Sequence, residues 1–150
     1  GRGREEVTVT IPMAARWNLV SLPVTVGDAR AGTLFPGAAS PAFCFRPPGG
    51  YLSTDTLSAG SGYWIRYVME QAVEITGGIR WTDTVSVEAG WNLIGSRTFP
   101  ADPDSVVPIP PGLVSTPFYG YSGTYVQADS LFPGRGYWVK VSGTGKIVLR

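Results

Sequence analysis

Trp17-Asn18-Leu19-Val20 … Gly62-Tyr63-Trp64-Ile65 comes back as Trp91-Asn92-Leu93-Ile94 … Gly136-Tyr137-Trp138-Val139, each matched position 74 residues further on. Inside this frame Tyr51, Leu57 and Gly60 find Tyr125, Leu131 and Gly134 at the same offset. Outside it Thr8, Thr10 and Ile11 match Thr82, Thr84 and Val85, and Val73 and Ile75 match Ile147 and Leu149. A fixed period that fills the chain is a statement about architecture. Residues 5–76 and 77–150 read as two tandem β repeats of about 74 residues behind a flexible Gly-Arg-Gly-Arg lead at 1–4.

Each copy reads as short strands parted by turns. Val7, Val9 and Ile11 alternate with Thr8 and Thr10, the pattern of a half-buried strand, and Pro12 bounds it. Trp17 to Val24 is apolar on both faces and therefore central, while 25–40, with three glycines and Pro36, reads as a long loop. Ala42 to Phe45 turns through Pro47-Pro48-Gly49-Gly50 into Tyr51-Leu52. In the next strand Tyr63, Ile65 and Tyr67 point one way and Trp64 and Arg66 the other. The second copy follows the same plan with a Pro-rich loop over 96–116. No segment carries helical periodicity beyond a turn. The expected fold is all-β, two sandwich- or barrel-like repeats of about six strands each. Whether the repeats stand apart or intertwine about a pseudo-twofold is open at this level.

Composition agrees and removes several function classes. Twenty Gly and 13 Pro in 150 residues favour turns over long helices. The net charge of +1 comes from scattered residues, so no nucleic-acid patch is expected, and no run is long enough to span a membrane. There is neither an initiator Met nor a signal-peptide pattern, as expected of a mature or excised piece. Cys44, the single cysteine, lies in Phe43-Cys44-Phe45 and reads as a small buried hydrophobe. The chain has no histidine, which removes the commonest general base and transition-metal ligand. Asp102-Pro103-Asp104 is the one close aspartate pair, and its proline makes it a turn. No calcium loop, phosphate loop or activated serine is visible, so neither enzymatic activity nor a cofactor or metal is expected.

The four tryptophans of the doubled frame are expected to supply much of two equivalent cores, since each large aromatic buries about 150–250 Å². A sugar-stacking platform is the rival reading. Asn18 and Asn92, the only asparagines, stand inside apolar strands and are expected to satisfy the backbone of a neighbouring turn. Four aspartates share a pattern of Asp, hydroxyl, aliphatic: Asp55-Thr56-Leu57, Asp83-Thr84-Val85, Asp104-Ser105-Val106 and Asp129-Ser130-Leu131. It resembles the O-glycosylation sequon of secreted Bacteroidota proteins, which makes Thr56, Thr84, Ser105 and Ser130 candidate attachment points. Side-chain turns before a strand explain the same residues without a glycan.

The frame Trp-Asn-Leu-Ile/Val … Leu-x-x-Gly-x-Gly-Tyr-Trp-Val/Ile-Lys/Arg, carried by Trp17 to Arg66 and Trp91 to Lys140, resembles a repeat module of large secreted and cell-surface proteins of Bacteroidota and related bacteria. The resemblance implies an extracellular, non-enzymatic β-module, often part of a longer protein, and brings no binding residue with it.

Two functions follow as expectations. The strand-like ends, with Val7, Val9 and Ile11 at one and Ile147 and Leu149 at the other, are templates for another subunit if a sheet edge is left unfilled. That points to a fibre protomer assembling with itself, head to tail. The alternative is a carbohydrate-binding or adhesive module. Its candidate ligand aromatics are Trp81 and Tyr121, which have no aromatic equivalent in the first copy.

Overall fold

The computed structural model describes residues 5–47 and 49–150, so the lead expected at 1–4 and Pro48 of the expected turn lie outside the described residues. The chain is all-β and sandwich-like, built from four antiparallel sheets. In the first half β1 (Glu6–Met13) pairs with β6 (Gln71–Gly78). Beside them β2 (Arg16–Ser21), β5 (Gly62–Tyr67), β3 (Ala42–Phe45) and β4 (Tyr51–Thr54) lie side by side in that order. In the second half β7 (Asp83–Val87) and β9 (Val107–Ile109) flank β13 (Gly145–Leu149). There the other sheet runs β8 (Gly90–Ile94), β12 (Tyr137–Val141), β10 (Tyr119–Tyr121), β11 (Tyr125–Gln127).

Strand registers repeat with the sequence. Asn18 stands opposite Ile65 and Asn92 opposite Val139; Ile11 faces Val73 and Val85 faces Ile147. The loops differ. The loop expected at 25–40 contains a short helix α1 (Ala31–Leu34), while 96–116 holds a 3-10 turn at Pro103–Ser105 and the extra strand β9. The boundary drawn after residue 76 falls inside β6, which runs on to Gly78 and there exchanges both backbone bonds with Thr25. Pro12 does not end β1: it stands opposite Ala72, where its missing N–H points away from β6.

Period-two alternation sorts each strand between a core and a second face. Val20, Tyr63, Ile65 and Tyr67 join Ile11, Val73 and Ile75 in the first core, and Ile94, Tyr137, Val139 and Val141 join Val85, Ile147 and Leu149 in the second. Cys44 is half-buried against the first core. The opposite faces of the two four-stranded sheets meet each other. Leu19, Leu93 and Trp138 form a third cluster there, edged by Phe45, Trp64, Tyr119 and Tyr121. The strand from Trp17 is thus apolar on both faces because each face has its own partner.

The joint is reciprocal. Val20 bridges to Arg135 and Ile94 to Ser61, positions exchanged by the 74-residue offset. Ser21 N–H donates to Gly134 C=O at 2.9 Å, and Gly95 N–H donates to Gly60 C=O at 3.0 Å. Gly-x-Gly is what permits this crossing. A Cβ on Gly62 would lie 2.7 Å from the Ile94 carbonyl oxygen and 2.9 Å from Leu93 Cγ. Gly60 and Gly134, both at positive φ, lie under Val85 and Ile11, the first strand of the opposite half in each case. Buried Ser21 and Ser96 hydroxyls, 3.2 Å apart, complete the seam.

Candidate functional site

Three of the four doubled tryptophans do not behave as core, and the fourth belongs to the cluster between the sheets. Trp17 and Trp91 are 39% and 40% exposed, Trp64 is half-buried, and Trp138 alone is buried, at 8%. The expectation that these rings fill two cores is therefore corrected. Alternation puts Trp17 on the face opposite Asn18 and Val20, the face along which the two sheets meet. Near Gly62 and Gly136 that meeting is tight; further along the strands it opens, and the rings line the opening.

Two aromatic grooves result, and each takes side chains from both halves. In the first, of about 590 Å³, Trp17, Phe43, Tyr51 and Trp64 of the first half are joined by Tyr121 and Tyr125 of the second. In the other, of about 520 Å³, Trp91, Tyr119, Tyr125 and Trp138 of the second half are joined by Phe45 of the first. Cross-strand pairing places the rings: Phe43 stands opposite Trp64, and Tyr119 opposite Trp138. Phe45 meets Trp138 edge-on at 4.8 Å between ring centres, and Trp64 meets Tyr121 edge-on at 4.9 Å. Tyr125 lines both grooves and joins them into one track. Volumes of this size suit a small ligand or a stretch of polymer.

The electrostatics of the track are simple. None of its lining residues is charged. Burial raises the Tyr125 phenol above its ordinary value, the neighbouring Tyr51 adds to the rise, and the Trp138 indole opposes it. The Trp138 N–H acts on that phenol without meeting hydrogen-bond geometry, and it is a buried donor with no partner among the described residues. A wider cleft of about 800 Å³ between β1, β6 and the 121–123 turn has mixed walls. Its Arg135 guanidinium already donates to the Pro12 carbonyl.

Other residues of the frame hold the grooves in place. Asn18 Oδ1 accepts from Ala14 N–H at 2.9 Å, and its Nδ2 donates to the carbonyls of Ala14 and Arg16. Asn92 does the same with Glu88 and Gly90. These are the turn-satisfying asparagines expected from sequence. Tyr63 and Tyr137 each accept from a backbone N–H five residues upstream, Ser58 at 2.8 Å and Phe132 at 2.7 Å.

The residues singled out in the sequence scatter. Tyr121 falls in the first groove. Trp81 does not line either one: it is 62% exposed and stacks on Phe99 at 4.9 Å. Val7, Val9 and Ile11 sit in the eight-residue ladder of β1 with β6, and Ile147 and Leu149 are core residues of β13. The Thr56, Thr84 and Ser105 hydroxyls are exposed and Ser130 is half-buried, while Leu57, Val85 and Leu131 behind three of them are buried. Sequence reasoning raised the four groove tryptophans only as a rival to core and missed Phe43, Phe45, Tyr51, Tyr119 and Tyr125, because an apolar second face looks the same in sequence whether covered or open. The available signal was the side on which Trp17 and Trp91 fall: opposite the asparagine that clamps the turn. Comparison with protein-family models, with curated proteins and with solved structures gives no match.

Proposed function

We propose that this chain is a non-enzymatic recognition module of a secreted or cell-surface protein, adhesive in function, that grips an uncharged ligand in its paired aromatic grooves. The supporting observation is the track itself, with exposed rings held on rigid strands and arranged around the joint of the two halves. Aromatic faces bind by stacking, tolerate variation along a polymer and need little side-chain ordering. Carbohydrate is one ligand class for such a surface. A screen of soluble polysaccharides and extended peptides, read by tryptophan emission, tests the proposal. The expected hit loses binding in the Trp17→Ala/Trp91→Ala double variant and keeps it in Trp81→Ala. Binding lost only in Trp81→Ala, or no hit at all, contradicts it.

A second reading, a fibre protomer assembling by strand addition, has a separate observation in its favour. The β1–β6 ribbon has two strands where its counterpart has three. Pro12 opposite Ala72 and the bonds of Gly78 to Thr25 show that even-numbered residues of β6 turn their backbone groups outward. Among the described residues, no backbone partner stands there for Ala72 or Glu74; the equivalent Lys146 and Val148 face β9. Such an edge is a template for strand addition from another copy. Glu74→Pro, which removes an outward N–H, is expected to abolish polymers seen by negative stain. A monodisperse monomer from the unaltered chain overturns this reading. The exposed Asp-hydroxyl sites make covalent glycan a further expectation for material from the native source, where intact mass equal to the bare chain contradicts it.

A further inference from the structure

We propose that the bare edge of β6 receives β7 of a second copy of this chain, head to tail; this rests on the strand-addition reading above and names the strand and register it uses. Backbone direction selects the edges. Lys146 and Val148 face β9, so their partners in β7, Ser86 and Thr84, turn their N–H and C=O groups away from β13. Among the described residues no backbone group pairs with them, just as none pairs with Ala72 and Glu74 across the outer edge of β6. All four residues are exposed. The α1 turn buries Ala31 and Leu34 in the first core and makes no backbone bond to β6. The other outer edges of these two sheets are blunted by proline. Pro108 of β9 has no N–H to offer, and neither has Pro12 of β1, whose carbonyl already accepts from Arg135.

Charge selects the partner. Neither β1 nor β6 contains a cation, and their exposed face carries Glu6 and Glu74. Two β6 edges paired antiparallel about Glu74 would set that carboxylate against its own copy, and like charges directly opposite repel. β7 brings the opposite sign, because exposed Lys146 of β13 stands beside Ser86. With Glu74 opposite Ser86 and Thr76 opposite Thr84, each pair exchanges both backbone bonds, and the buried Val73, Ile75 and Val85 stay on one side of the joined sheet. Lys146 and Glu74 then stand two strands apart, about 10 Å between Cα atoms, with only the small Ser86 side chain between them. Pairing stops at Val87, because Asn92 already holds the N–H and C=O of Glu88. The two edges are different surfaces, so the contact does not close on itself and a chain of copies grows.

Sedimentation and negative stain of the intact chain at low ionic strength test the inference. Polymers are expected. Glu74→Lys and Lys146→Glu, both at exposed positions, are each expected to raise the concentration needed for assembly roughly threefold to tenfold, the share of one exposed charge pair turned repulsive. The Glu74→Lys/Lys146→Glu double variant is expected to recover assembly. So is an equal mixture of the two single variants, in which each β6 finds a matching β7. Assembly that ignores both reversals, or that is impaired by them and recovered neither by the double variant nor by mixing, overturns the choice of β7. Glu74→Pro separates that failure from failure of the fibre reading: if it abolishes polymers that the reversals leave intact, strand addition at β6 stands with a different partner strand. An unaltered chain that stays monomeric overturns both.

Discussion

At Gly62 two backbones come closer than any side chain allows, with the Ile94 carbonyl oxygen 2.7 Å from where a Cβ would be. Gly62→Ala is therefore expected to cost about 1–3 kcal/mol by overpacking the joint. Gly27→Ala, where a Cβ meets nothing within 4 Å, is expected to be neutral or slightly stabilising. Urea unfolding of the two variants measures the difference. Asn18 and Asn92 each satisfy three backbone groups of one turn, so Asn18→Ala and Asn92→Ala leave part-buried N–H and C=O groups unpaired. Each is expected to lose about 1–3 kcal/mol in the same assay. The asparagine role was legible because a lone amide inside an apolar strand has few ways to be satisfied. The role of Gly62 was not, because the group it makes room for comes from the other half.

Among the elements, β5 shows how much alternation reveals. Its inward Tyr63, Ile65 and Tyr67 were readable from period two, and all are buried. Tyr67 is fully enclosed and donates to the Pro36 carbonyl at 3.3 Å; burial pushes its phenol up from 10.0 to about 12. Below pH 10 both folded and unfolded chains keep that proton, and the stability it permits is intact. Between about pH 10 and about pH 12 the unfolded chain releases a proton the fold retains, so stability falls as pH rises. Chemical denaturation across that window is expected to show the fall, and Tyr67→Phe to reduce it; an equal fall in the variant contradicts the assignment. The outward residues of β2 and β5 were harder to read. Trp17 and Trp64 obey the same alternation, yet whether their face is covered depends on a sheet many residues away. The β9 strand hid for another reason: Val107-Pro108-Ile109 is too short for a period, and proline argued for a loop.

For the whole molecule, the chain's Gly/Pro turns and short alternating runs announced its all-β character, but the contact between the two sequence copies was not written in either copy alone. That contact decides where the aromatics go. Residues shared by the copies build the joint, and the grooves open beside it with rings from both sides. The five tryptophans report on this directly, since each gives its own indole N–H resonance. On titration with the hit of the ligand screen, the resonances of Trp17, Trp64 and Trp91, which line the grooves, are expected to shift together, while Trp81 stays in place. A shift confined to Trp81, or five unmoved resonances at saturating ligand, would contradict the assignment of the paired grooves as the binding site.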